Sequence, residues 1–360
     1  ASLGQVQLMI PAYLVAFAFM QLVAGPLSDA FGRRPVILSG LALFFFASLA
    51  CALSTDLWQL LGARFVQAAG ACTTIVVGRA IIRDTSEGKS AARAMSYLAM
   101  ALGVGPAMAP FFGGLLLEFF DWRSSFYATA VMSALVLFFA FRILSETLPL
   151  EARRPLGPGA LIMGYLTLLR HRKFVGYSLA IAFESGTFQV FITASPIVLI
   201  TVMGVTPQLF GLYVMVIPTG FILASFVSGR LANRVPLNMI ILAGCIFGVT
   251  GGLMQAFLAI SGLATPPLIV ASVFISNFGT GLVFANCYAQ ALSTVTPSFA
   301  GAASAMGGFF HQGWACVLSL LVAGLVHTSS LPMGIAQTGT TVAALLVFVF
   351  AVLLAGRVTR

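Results

Sequence analysis

The chain has 360 residues, of which 60% are hydrophobic and 8% charged, with a formal net charge of +9 and a mean hydropathy of +1.05. No water-soluble domain of this size keeps such a balance, so the composition excludes soluble enzymes and binding modules and implies an integral membrane protein. Long uniform apolar runs, rather than short alternating segments, select helices over a barrel, since a spanning helix needs roughly 20 apolar residues.

In chain order, apolar runs predict spans near 5–24, 36–54, 58–82, 91–117, 124–144, 174–202, 208–228, 238–260, 266–290, 299–326 and 334–356, eleven in all. Lys and Arg collect in alternate loops: Arg33 and Arg34; Arg83, Lys89 and Arg93; Arg153, Arg154, Arg170, Arg172 and Lys173; Arg230 and Arg234. The intervening loops hold Asp56 and Arg123 as almost their only charges. By the positive-inside rule the basic loops and the C-terminal Arg357 and Arg360 are cytoplasmic. The same bias accounts for the positive charge without nucleic acid as a partner. The five cysteines, Cys51, Cys72, Cys245, Cys287 and Cys316, fall inside apolar runs and read as small packing residues.

An odd span count with a cytoplasmic C-terminus sets residue 1 outside, and "ASLGQVQLMI" has no signal-peptide pattern, so a further span is expected upstream. The longest polar interval, 145–173, carries Pro, Gly and basic residues and a surface helix near 160–170. It is expected to divide an N-terminal bundle (1–144) from a C-terminal six-helix bundle (174–360). Internal similarity supports the division: "GPLSDAFGRRPVIL" from Gly25 has an echo in "SGRLANRVPLNMII" (228–241), and "ARAMSYLAMALGVG" (92–105) in "AGAASAMGGFFHQG" (300–313). Offsets a little over 200 residues fit a repeat of six spans.

Three motifs stand out. "GPLSDAFGRRP" (25–35) sets Gly, Pro, Asp and paired Arg between two apolar runs. Topology explains Arg33 and Arg34 but not Asp29, which weakens the positive bias. "RFVQAAG" (64–70) buries Arg64 and Gln67 some two turns inside a span, where a charge is expensive unless it snorkels. "GVGPAMAPFFGG" (103–114) sets Pro106 and Pro110 among Gly103, Gly105, Gly113 and Gly114 within one span, more helix bending than close packing alone requires. These patterns resemble the major facilitator superfamily, and within it the twelve-span drug:proton antiporters of the Bcr/CflA type, over the whole chain from the family's second span onward. Weaker signals of the same kind are "GRAIIRD" (78–84), "DWRSSF" (121–126) and "ASPIVLI" (194–200).

The resemblance implies an all-α fold of two six-helix bundles related by pseudo-two-fold symmetry, with eleven spans in this chain. It also implies a proton-coupled exporter of small amphiphilic drug-like compounds working by alternating access in a bacterial inner membrane, or alternatively an exporter of a metabolite such as a sugar or amino acid. For Gly25, Asp29, Gly32, Arg33 and Arg34 it implies a cytoplasmic latch. There Arg33 would pair with Asp84, and Asp29 would face the start of the tenth span at "TPSFAG", with Ser298 as its cap. For Arg64 it implies proton coupling through an acidic partner, and for residues 103–114 an antiporter motif.

One acid lies deep in a span: Glu184, in "AIAFESGTFQVF" (180–191), near the midplane. A carboxyl group at this depth favours its neutral form, so proton release can be coupled to substrate arrival. Relatives usually carry an embedded acid in their first span, and Glu184 matches no family-wide acid. The main proton site is therefore open between Glu184 and the upstream span. Candidates for the wall of a mostly apolar pocket are Tyr13, Gln67, Phe188, Gln189, Phe191, Asn277, Phe309, His311 and Gln312. "RDTSEGKS" (83–90) ends like a phosphate loop, but Arg83 stands where the first Gly is needed and no strand precedes it, which argues against ATP-driven transport. No residue set predicts a nucleophile, a metal site or a cofactor, so the expectation is a monomeric transporter, not an enzyme.

Overall fold

A computed structural model describes residues 8–85, 105, 108–109, 112–153, 157–232, 234–296, 300–325 and 329–354. Among them there is no strand. The helices are α1 (Met9–Phe31), α2 (Arg33–Leu53), α3 (Leu57–Thr85), α4 (Arg123–Ile143), α5 (Pro158–Arg170), α6 (Arg172–Ser195), α7 (Pro207–Leu231), α8 (Leu237–Ser261), α9 (Pro266–Ser293), α10 (Ala300–Leu325) and α11 (Leu331–Val347). Two of them continue as π-helical turns, α6 through Pro196–Val202 and α11 through Phe348–Leu354. Among the described residues, ten helices are long and apolar enough to cross a membrane. The expected span at 91–117 lies mostly outside the described residues.

The chain divides into two compact units, an N-terminal one of residues 1–104 and 115–163 and a C-terminal one of residues 105–114 and 164–360. In the N-terminal unit, α3 packs against both α1 and α2, and α2 packs against α4. In the C-terminal unit, α8 and α9 form the largest contact, α9 also packs on α7, and α6 lies against α9, α10 and α11. All five cysteines are buried and none is in a disulfide.

Large apolar side chains such as Phe46, Phe138, Phe139, Phe226 and Phe257 point outward from the helices. In water this would be a liability. In hydrocarbon, apolar surface has nothing to gain from burial, so each unit instead turns its small and polar residues inward. Ser48, Gln67 and Thr73 are buried in the N-terminal unit, and Ser272, Ser276, Thr280, Gln337 and Thr341 in the C-terminal unit.

One local feature departs from the sequence reading. The expected loop at 25–35 is not a loop: α1 runs through Gly25, Pro26 and Asp29 to Phe31, and α2 begins at Arg33. The break is Gly32 alone, at φ 100° and ψ 157°. Only glycine adopts this backbone without a steric penalty, so one residue turns the chain. The polar residues that read as a turn extend a helix beyond its apolar run. Ser28 Oγ donates to the Gly25 carbonyl at 2.8 Å, and the Gly32 N–H caps the Ser28 carbonyl at 3.1 Å. The helix expected near 160–170 forms as α5.

Candidate functional site

The first cluster is built where α1 and α2 meet. Arg33 is 3% exposed, yet its guanidinium finds acceptors at both Nη1 and Nε. Its Nη1 donates to Asp29 Oδ1 at 2.5 Å and to Ser28 Oγ at 2.7 Å, and its Nε donates to Asp84 Oδ2 at 2.8 Å. Asp29 lies in the last turn of α1 and Arg33 opens α2, so the single-residue turn at Gly32 brings the pair together, and Asp84 arrives from the end of α3. The expected Arg33–Asp84 pair is present, and Asp29 turns out to be a second partner of the same guanidinium. Ser298, the expected cap facing Asp29, lies outside the described residues.

A residue that the sequence reading left in the linker completes this cluster. Glu146 Oε1 accepts from the Arg33 N–H at 2.9 Å, and its Oε2 accepts from the Arg34 N–H at 3.3 Å. Those are amides that open α2, which have no intrahelical acceptor and carry the positive end of the helix dipole. Glu146 also accepts from the Thr147 and Leu148 N–H groups and lies 3.6 Å from Arg153 Nη2. Burial pushes its pKa up, but the four backbone N–H donors outweigh that and hold it below the usual carboxylate value. Arg34 Nη2 donates to the Phe141 carbonyl at 3.1 Å, fixing the end of α4 to the same point. A sequence separation of 113 residues hid this contact from local pattern.

The second cluster surrounds Arg64 on α3. Its Nη1 donates to Gln67 Oε1 at 2.6 Å, Gln67 Nε2 donates to Ser48 Oγ at 2.7 Å, and Ser48 Oγ donates to the Phe44 carbonyl at 2.6 Å. The guanidinium carbon sits 4.4 Å from the centre of the Tyr13 ring and 5.9 Å from that of Phe126. Arg64 is thus held between aromatic faces and an amide oxygen. Among the described residues no carboxylate pairs with it.

The third cluster is the interior of the C-terminal unit, and Glu184 is its centre. Glu184 is 0% exposed, and neither carboxyl oxygen has a hydrogen-bond partner among the described residues. The carboxyl lies against the backbone of α8 and α9. A Cβ added at Gly248 would stand 2.7 Å from Glu184 Cδ, and one at Gly279 would stand 3.1 Å from Oε1. Thr187 Oγ1 and Thr280 Oγ1 both donate to the Glu184 carbonyl, at 3.0 and 3.3 Å. On the far side, Trp314 Nε1 donates to Thr340 Oγ1 at 2.8 Å, which in turn donates to the Phe183 carbonyl at 2.7 Å, while Gln337 Nε2 donates to the Thr187 carbonyl at 3.3 Å. Polar side chains therefore converge on the α6 backbone around Glu184 and leave its carboxyl group unanswered.

The remaining candidates separate by environment. Gln189 Nε2 donates to Ser319 Oγ at 2.8 Å, beside Thr193, at the contact of α6 with α10. Phe191 is fully buried in an aliphatic cluster with Val190, Ile217 and Val273, and Phe188 packs against that cluster. Asn277 Nδ2 donates to the Ile217 carbonyl at 3.2 Å, tying α9 to α7. Phe309 packs beside Phe310, and His311 meets the Phe284 ring edge-on at 5.7 Å between centroids. Gln312 is half-buried. Of the antiporter motif, Gly105, Gly113 and Gly114 are described and helical, whereas Gly103, Pro106 and Pro110 lie outside the described residues.

Comparison with known proteins places this architecture. The family model for the Major Facilitator Superfamily matches residues 1–320. An uncharacterised MFS-type transporter, YdgK, of Bacillus subtilis is 34% identical over 97% of this chain and 86% of its own length. Multidrug resistance protein D of Escherichia coli is 30% identical over 93% of this chain and 83% of its own length. A bicyclomycin resistance protein homolog of Haemophilus influenzae is 27% identical, covering 96% and 86% respectively. Among solved structures, the xylose transporter XylE from E. coli superposes with a TM-score of 0.74 at 13% identity, over 97% of this chain and 87% of that one. Taken with the helical units described above, these matches establish that the chain belongs to the major facilitator superfamily.

Proposed function

We propose that this chain is a drug:proton antiporter, exporting small amphiphilic compounds by alternating access across a bacterial inner membrane, as a monomer with its C-terminus in the cytoplasm. Glu184 carries the reading. A carboxyl group in the middle of a span, with no donor to stabilise its charge, is neutral while enclosed and gives up its proton when solvent or a cationic group reaches it. Such an acid can trade its proton for a polar or cationic guest. The names of the relatives, multidrug resistance and bicyclomycin resistance, support drug-like substrates rather than metabolites.

The other clusters take supporting roles. Arg64 offers a fixed positive charge between Tyr13 and Phe126, the electrostatic counterpart of a titrating acid. Arg33, Asp29, Asp84 and Glu146 hold the ends of α1, α2 and α3 in one arrangement that a transport cycle must reform. Within the C-terminal unit, the aromatic and amide groups Phe188, Gln189, Phe309, His311 and Gln312 supply stacking and orientation to a guest. In cells expressing the full chain, drug accumulation is expected to fall when the pH gradient is intact and to recover when it is collapsed. Accumulation indifferent to the gradient contradicts proton coupling.

A further inference from the structure

Glycines on two helices are what make room for the Glu184 carboxyl group. Gly248 on α8 and Gly279 on α9 face each other where the two helices cross closely. A Cβ on Gly279 would collide with the Gly244 carbonyl and lie 2.7 Å from the Gly248 amide nitrogen. The carboxyl group of Glu184 projects from α6 into this notch. The walls it meets are glycine Cα groups and helical backbone whose N–H groups are already engaged within α8 and α9. The hydroxyl closest to the notch, Ser276 Oγ, donates instead to the Gly248 carbonyl at 3.2 Å.

We propose that Gly248 and Gly279 are positioning residues that let α8 and α9 close on α6 only while Glu184 carries its proton. The neutral acid is tolerated in the notch through close Cα–H contacts. A carboxylate in the same place has no donor among the described residues, and the charge is relieved only if the helices separate from α6 and admit solvent. Proton loss thus opens the α6/α8/α9 packing, and proton uptake closes it. The proposal rests on the reading of Glu184 as the proton carrier and adds the element that its proton moves.

The groups facing the notch do not supply a substitute charge. Among the described residues, the titratable groups in electrostatic reach are the thiols of Cys245 on α8 and Cys287 on α9. From α11 come Gln337 and Thr340, and from α10 Trp314, all neutral, with His311 on α10 turned to the Phe284 ring.

The two buried thiols report the opening. In the full chain reconstituted in lipid, alkylation of Cys245 and Cys287 by N-ethylmaleimide is followed by mass spectrometry from acid to alkaline pH. The same series on Glu184→Gln at each pH cancels the ordinary rise in thiolate reactivity. Wild type is expected to label about tenfold faster than the Gln variant at the alkaline end and equally at the acid end, a tenfold ratio being one decade in the open population. Identical profiles for the two proteins overturn the proposal. Gly248→Ala is expected to displace the carboxyl group and label fast at every pH, and Gly248→Ala combined with Glu184→Ala, which vacates the notch, to return labelling to the slow level. A double variant that labels as fast as the single one also overturns it. Proton-driven export measured on the same Glu184→Gln sample separates the two ideas. Lost coupling with unchanged labelling contradicts the notch alone, whereas retained coupling with altered labelling upholds the notch and contradicts the proton-carrier reading.

Discussion

Arg33 and Glu184 are both almost completely enclosed, yet the protein treats their charges in opposite ways. Arg33 sits at the helix ends with two carboxylates, a hydroxyl and a capping glutamate around it. Glu184 sits in mid-span with bare glycine backbone around its carboxyl group. A buried charge with complete partners stays charged and fixes geometry, whereas one without partners is held neutral and is free to titrate when its surroundings change. The first arrangement fixes a geometry that a transport cycle breaks and reforms, and the second is suited to exchanging a proton within that cycle.

Breaking the satisfied cluster should therefore affect folding more than chemistry. Arg33→Ala leaves Asp29, Asp84 and Ser28 without their shared donor, and is expected to destabilise the N-terminal unit by about 3 kcal/mol, read as a lower thermal midpoint in detergent. A midpoint at the wild-type value would show that the cluster contributes no net stability.

A smaller effect with a defined pH dependence is expected at Glu146. Folding lowers its pKa, so its stabilisation is present above the unfolded-state value and disappears as pH falls through the folded-state value. Glu146→Gln should flatten the acid limb of the stability profile, and an acid limb as steep as that of wild type would contradict the capping role. The smallest change is expected for Asp29→Asn. Its side chain is 44% exposed and Arg33 keeps Asp84, so stability should move by less than about 1 kcal/mol. Turnover is expected to slow with substrate affinity preserved, and a wild-type turnover would remove Asp29 from the cycle.

The contrast also explains what sequence could and could not reveal. The spans were legible because hydropathy over about 20 residues is a direct consequence of bilayer thickness. Arg33 and Glu184 were legible because charge is rare in this chain, at 8% of residues. The continuation of α1 to Phe31 was not, since Gly25, Pro26, Ser28 and Asp29 carry strong turn propensity that helix capping and the Arg33 contacts override. Glu146 read as part of a linker because its partners are more than a hundred residues away. Gly248 and Gly279 were invisible for a different reason: among 36 glycines, nothing local distinguishes two that face a carboxyl group.

The central claim is that Glu184 exchanges its proton during transport. The direct measurement is proton release on addition of a transported drug to the full chain in weakly buffered proteoliposomes, wild type against Glu184→Gln. The account predicts release from wild type and none from the variant, with drug binding retained. Equal release from both proteins would contradict it.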